Sequence, residues 1–187
     1  MSETLSGLSM RALRELSSVF ARMPDHCADG LIDAIVAARK IVLFGCGREG
    51  LQMRGLAMRL FHLGRDATVW GDMSMPAIGA NDLLIVSAGP GDLATVRVLI
   101  SKAREAGART ALITAQPTAP LAEQVDVVTI IPAQTMADDT VAEASILPMG
   151  SLFEAAQMIF FEIVVLKLRP LLHQSAETMR ARHTNLE

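Results

Sequence analysis

A chain of 187 residues, half of them apolar and carrying 17 bases against 20 acids, is long enough for one domain with a substantial core and lacks the basic surplus of a nucleic-acid binder. Its longest run free of charge, Thr110 to Ala122, is broken by Pro117 and Pro120 and falls short of the roughly 20 apolar residues that a membrane span needs. Cys27 and Cys46 lack metal-ligand spacing and do not make a disulfide scaffold, and the acidic opening residues predict no secretory leader, so a cytoplasmic chain is expected.

Two helical patterns come first in chain order, Ser6–Met23 with Leu8, Leu13, Leu16, Val19 and Phe20 near helical spacing, and Asp25–Arg39 after Pro24. The pattern then alternates. Lys40–Gly45 reads as a short β-branched strand, Arg48–Gly64 as a helix, and Asp66–Gly71 and Asn81–Gly89 as strands. Leu93–Gly107 reads as a helix, and Ala108–Thr114 and Val125–Pro132 as two further strands. Strands alternating with helices predict right-handed crossovers and a parallel sheet. Met149–Arg169 is one long apolar helix, and the polar tail from His173 predicts a helix over its middle. The expected fold is a three-layer α/β/α domain spanning 1–187, with N-terminal helices over 1–38, a parallel core over 40–132 and C-terminal helices over 148–187. Its surplus apolar surface suits a sheet covered on both faces and contacts between subunits.

Ligands of such sheets bind beyond the carboxyl ends of the strands, which selects Gly45–Gly50, Gly71–Pro76 and Ser87–Asp92. In "GCGREG", Gly45 and Gly47 let backbone amides approach a ligand at the positive end of a helix, although a glycine after a buried strand also serves simply as a turn. "SAGPGD" repeats the theme: Ser87 offers a hydroxyl, Ala88, Gly89 and Gly91 offer backbone, and Asp92 is placed to cap the next helix.

The run "GCGREGLQMRGLAMRLFHLG" resembles the first strand–helix unit of the sugar isomerase (SIS) domain family, and within it the 6-phospho-3-hexuloisomerase group. Arg48, Met58, Arg59, Leu60, His62, Leu63 and Gly64 match its pattern, and the likeness continues through "WGDMSMPAI", "NDLLIVS", "PMGSLFEAAQMIF" and "MRARHTNLE". The resemblance implies a flavodoxin-like domain with five parallel strands, assembled as a dimer or tetramer. It also implies a small sugar or sugar phosphate as partner, with neither metal nor other cofactor. The implied reaction moves a ketone between C2 and C3 of a hexulose 6-phosphate through a cis-enediol. On this resemblance Glu154 is the base, and His183 an acid–base or ring-opening partner contributed in cis or in trans. Each has a plainer reading: Glu154 as a first-turn acid favoured by the helix dipole, His183 as a solvated tail residue. His62 reads as a packed core histidine; Arg48 and Arg59 read as ligand contacts or as surface or interface charges, with Arg48 the better candidate for the ligand.

Two departures fall on the expected phosphate cradle. Glu49 stands where the family has serine, and "SAGPGD" lacks the second serine and the threonine of the family loop; in the remaining loop Ser74 is the only hydroxyl of "MSM". A hydroxyl–phosphate bond contributes about 1.5–3 kcal/mol. A carboxylate about 4 Å from one phosphate charge costs about 4 kcal/mol at an effective dielectric near 20. The helix terminus returns only about 0.3–1 kcal/mol, or about 2 when partly buried. Glu49 is therefore expected to occupy the phosphate position itself, leaving a pocket for a neutral or cationic polyol or amino sugar. The alternative to an isomerase is a non-catalytic SIS module that binds a sugar or sugar phosphate.

Overall fold

The computed structural model describes residues 3–139 and 145–186, so the first two residues, 140–144 and Glu187 of the expected domain lie outside it. Its strands are β1 (Lys40–Gly45), β2 (Asp66–Val69), β3 (Leu83–Ser87), β4 (Arg109–Thr114) and β5 (Val127–Ile130). Its helices are α1 (Leu5–Ala21), α2 (Asp29–Ala37), α3 (Gly47–His62), α4 (Ala94–Glu105), α5 (Ser151–Leu171) and α6 (Ala176–Arg180). All strand pairs are parallel and the order is β2-β1-β3-β4-β5, as the alternating pattern and the resemblance implied. The expected second helix begins later, at Asp29. Before it, Cys27 N–H donates to Pro24 O at 2.9 Å and Asp29 N–H to His26 O at 3.1 Å, which are bonds of tight turns.

Successive strand residues point to opposite faces, and both faces are covered. Ile41, Leu43, Leu83 and Ile85 point to the side of α2, α3 and α5, where they meet Leu31, Ile35, Met53, Leu56, Leu60, Phe160 and Val164. Val42, Leu84 and Val86 point the other way, onto Val96, Ile100 and Ala103 of α4, with Met75 and Ile78 from the loop after β2 beside them. Each such side chain contributes about 1.5–3 kcal/mol on burial. No described helix is long and apolar enough to cross a membrane.

Two polar fixtures set the ends of the sheet and of α3. The buried Asp82 accepts from Arg39 Nε (3.1 Å) and Nη2 (3.0 Å), from Gly79 N–H (2.9 Å) and from Lys40 N–H (3.2 Å), which aligns the starts of β1 and β3. At the C-terminal end of α3, Arg182 donates to His62 O at 3.1 Å and to Gln174 Oε1 at 2.8 Å. A cation on the last carbonyls of a helix is favoured by its dipole, and here it docks the polar tail against α3.

Candidate active site

In the order β2-β1-β3-β4-β5 the chain reverses direction between β1 and β3, and the register brings Gly45 beside Ser87 at that point. Both glycine-rich loops therefore leave the sheet together. Close packing explains two of the glycines: a Cβ on Gly50 would lie 2.5 Å from Gly45 O, and one on Gly45 would lie 3.0 Å from Gly50 N. Strand β1 and helix α3 can join this tightly only without side chains there.

A pocket of about 470 Å³ opens here, with Cys46, Gly47, Arg48 and Glu49 on one wall and Pro90 and Leu93 on another. Thr135, Met136, residues 148–151, Phe153 and Glu154 close the remainder. Gly47, Arg48 and Glu49 form the first turn of α3, whose amides have no carbonyl earlier in the helix to donate to. Glu154 lies in the first turn of α5, with a side chain 16% exposed, and pairs with Arg48 at 2.6 Å. Arg48 also donates to Ser151 Oγ at 2.8 Å, and Ser151 donates on to Pro148 O at 2.6 Å, so the guanidinium is held over the start of α5. Burial pushes the Glu154 carboxyl above its ordinary value, and the charge and hydrogen bond of Arg48 pull it back only in part.

Glu49 points inward. Its buried carboxylate accepts Gly89 N–H at 3.1 Å on Oε1 and 3.0 Å on Oε2, and it accepts the Ser87 hydroxyl on Oε2. The donors come from the end of β3 and from the loop that follows it. Behind them, the fully buried Gln157 donates from Nε2 to Ser87 Oγ at 2.7 Å, while its Oε1 has no hydrogen-bond partner among the described residues. Gly89 must be glycine, because a Cβ would lie 2.9 Å from both Glu49 Oε1 and the Phe153 ring.

Of the residues expected to serve a site, Gly47, Arg48, Glu49 and Glu154 line this pocket, with Ser87 and Gly89 holding Glu49 from behind. Gly45 lies at the strand end just below. The others stand apart. The Ala88 amide donates to Ile113 O at 2.9 Å, and the Gly91 amide to Ala88 O at 2.9 Å in a turn with φ +97°. Ser74 is exposed and outside the pocket lining. Asp92 does not cap α4: Leu93 is the N-cap residue, and Asp92 pairs with Arg97 because its carboxylate faces solvent on that side.

His183 lies elsewhere in the chain. Its ring stacks on His62, centroids 5.3 Å apart, at the C-terminal end of α3, roughly 24 Å along the helix from Gly47. It lines a second cavity of about 400 Å³ with Met58, Arg59, Arg169 and Arg180. His62 is buried, as a packed histidine, and burial followed by the charges of His183 and Arg59 lowers its pKa. Arg59 pairs with Glu162 at 3.0 Å. Sequence reasoning missed Gln157, Ser151 and Phe153. Gln157 left a signal, a lone amide one turn beyond Glu154 in an apolar helix, whereas nothing local marks Thr135 or Met136.

A doubly wound parallel sheet with a largely apolar pocket at its switch point, carrying a few converging polar groups, defines a candidate small-molecule site of the α/β class. The SIS domain model matches residues 34–158, two thirds of the chain. The chain is 38% identical over 173 residues to 3-hexulose-6-phosphate isomerase of Mycobacterium gastri, covering 92% of this chain and 86% of that protein. It is 33% identical over 175 residues to the enzyme of that name from Bacillus subtilis, covering 94% and 95%. A solved structure from Methanococcus jannaschii, described as inferring a 3-hexulose-6-phosphate isomerase function, superposes with a TM-score of 0.79 at 29% identity over 98% of both chains. The protein belongs to the SIS domain family.

Proposed function

We propose that residues 1–187 act as one sugar isomerase domain of the 3-hexulose-6-phosphate isomerase type, shifting a ketone along a sugar chain with Glu154 as the base. The observation that carries this reading is the Glu154–Arg48 pair at the pocket mouth, 2.6 Å apart and aimed past the first turn of α3. The Glu154 carboxylate takes the proton from the hydroxyl-bearing carbon beside the carbonyl, giving an enediol. The former carbonyl oxygen gathers negative charge meanwhile, stabilised by Arg48 and the free amides of Gly47–Glu49. Delivering a proton from the same carboxyl to the former carbonyl carbon, while the hydroxyl proton passes to the former carbonyl oxygen, completes the shift; one carboxylate serves both halves, and exchange of its proton with solvent admits deuterium. A base raised toward neutrality by burial suits this transfer. The relatives named above support the reaction class. A cytoplasmic location and a homo-oligomer, dimer or tetramer, belong to the same reading, as does delivery of His183 to the pocket of a neighbouring copy.

The test is isomerisation of hexulose 6-phosphates and unphosphorylated ketoses in D2O, following deuterium entry beside the carbonyl by NMR. Glu154→Gln is expected to slow exchange by about 10²–10⁴-fold, and the wild-type rate to rise with pH as Glu154 ionises. Equal exchange in wild type and variant would refute Glu154 as the base. A protein that binds sugars but exchanges no proton would be a binding module.

A further inference from the structure

The inner end of this pocket already contains an anion, and it belongs to the chain. Gly89 N–H and the Ser87 hydroxyl converge on one point beside the N-terminus of α3, the arrangement that ordinarily receives a phosphate or other oxyanion. The Glu49 carboxylate fills that point. Gln157 donates to Ser87 Oγ, which leaves the single hydroxyl hydrogen of Ser87 to Glu49. Both donors are therefore committed to the side chain, while a carboxylate with about four lone-pair positions keeps acceptor capacity toward the pocket it lines.

Charge points the same way. Among the described residues lining the pocket, Arg48 is the one cation, and it is bound to Glu154 and Ser151. With Glu49 and Glu154 ionised, this described lining holds one negative charge in excess. A phosphate dianion would enter against that charge with its strand-end donors already taken. A hydroxyl or an ammonium would add a further donor to the buried Glu49 carboxylate, beside those of Ser87 and Gly89.

Resting on the sugar-isomerase reading of this site, we propose that Glu49 is a specificity-determining residue that makes the inner end of the pocket accept a hydrogen-bond-donating, unphosphorylated sugar group and reject a phosphate. The Glu49 carboxylate is the acceptor, and Ser87, Gly89 and Gln157 hold it in place.

The experiment is calorimetric titration of the full-length wild type, Glu49→Ser and Glu49→Gln with fructose, glucosamine and fructose 6-phosphate. The wild type is expected to bind fructose or glucosamine at least tenfold more tightly than fructose 6-phosphate. Each variant is expected to gain tenfold or more for fructose 6-phosphate. Tighter binding of glucosamine than fructose identifies an ammonium as the preferred donor, and the reverse a hydroxyl. Wild-type preference for fructose 6-phosphate, or no gain in either folded variant, would overturn the proposal. Glu49→Gln keeps the side-chain size and carries the test if the serine variant does not fold. Because binding and proton exchange are read separately, a protein that exchanges no proton yet shows the gain loses the isomerase reading and keeps this one.

Discussion

Burial pushes the Glu49 carboxyl above its ordinary value; the bonds from Ser87 and Gly89 lower it without restoring it, and the charge of Glu154 raises it further. A carboxyl raised by folding contributes stability that is complete in acid and is lost as pH climbs through its folded pKa. Glu49→Gln removes the ionisation and keeps an acceptor oxygen for Gly89 and Ser87. Its unfolding midpoint should therefore exceed that of the wild type at neutral pH, with the difference closing as pH falls. Each tenfold weakening of the acid on folding corresponds to about 1.4 kcal/mol. For a chain of this size each kcal/mol moves the midpoint by about 2–4 °C. Scanning calorimetry across pH checks this, and a variant no more stable than wild type at any pH would contradict it. On this prediction the buried carboxylate is a stability cost held at the candidate pocket.

Helix α3 connects the candidate pocket to the rest of the fold, and two of its glycines make opposite predictions. Gly50→Ala would put a Cβ 2.5 Å from the Gly45 carbonyl, a backbone atom that cannot swing away. It should destabilise the protein by about 1–3 kcal/mol and shift the first turn of α3, weakening ligand binding as well. Gly55 lies in the same helix, and a methyl group placed there would meet nothing within 4 Å. Gly55→Ala should stabilise by about 0.5–1 kcal/mol through lost freedom in the unfolded chain, leaving binding unchanged. Chemical denaturation of the two variants measures both. The elements themselves were legible in the sequence, because short continuous apolar runs and helical spacing are local properties. Two of the selected loops were legible as walls of the candidate pocket, since they follow neighbouring strands. Loop side-chain directions were not: Ser74 and Asp92 sit in the expected loops yet face solvent, with Asp92 drawn to Arg97.

Across the whole molecule, Leu51, Met58 and Phe61 of α3 and Met158 and Leu166 of α5 are each more than half exposed, an apolar face beside both cavities. Glu154 and His183 stand at opposite ends of α3 within one chain. If copies share their sites, Glu154→Gln and His183→Ala proteins mixed under exchange conditions should recover isomerase activity that neither has alone. Absence of recovery in a verified mixed oligomer would confine catalysis to one chain.

By itself the sequence determined the alternation of strands and helices, the parallel sheet and the glycine-rich loops at the carboxyl ends of its strands, because each depends on residues close together in the chain. It also marked Glu49 as the residue out of keeping with a phosphate cradle. Only the tertiary structure decided that this carboxylate turns inward to Ser87 and Gly89, 38 and 40 residues away, with Gln157 behind them. It alone decided that His183 docks on His62, far from Glu154. Those outcomes depend on how α3 and α5 seat against the sheet, and such packing is set by contacts among residues remote in sequence.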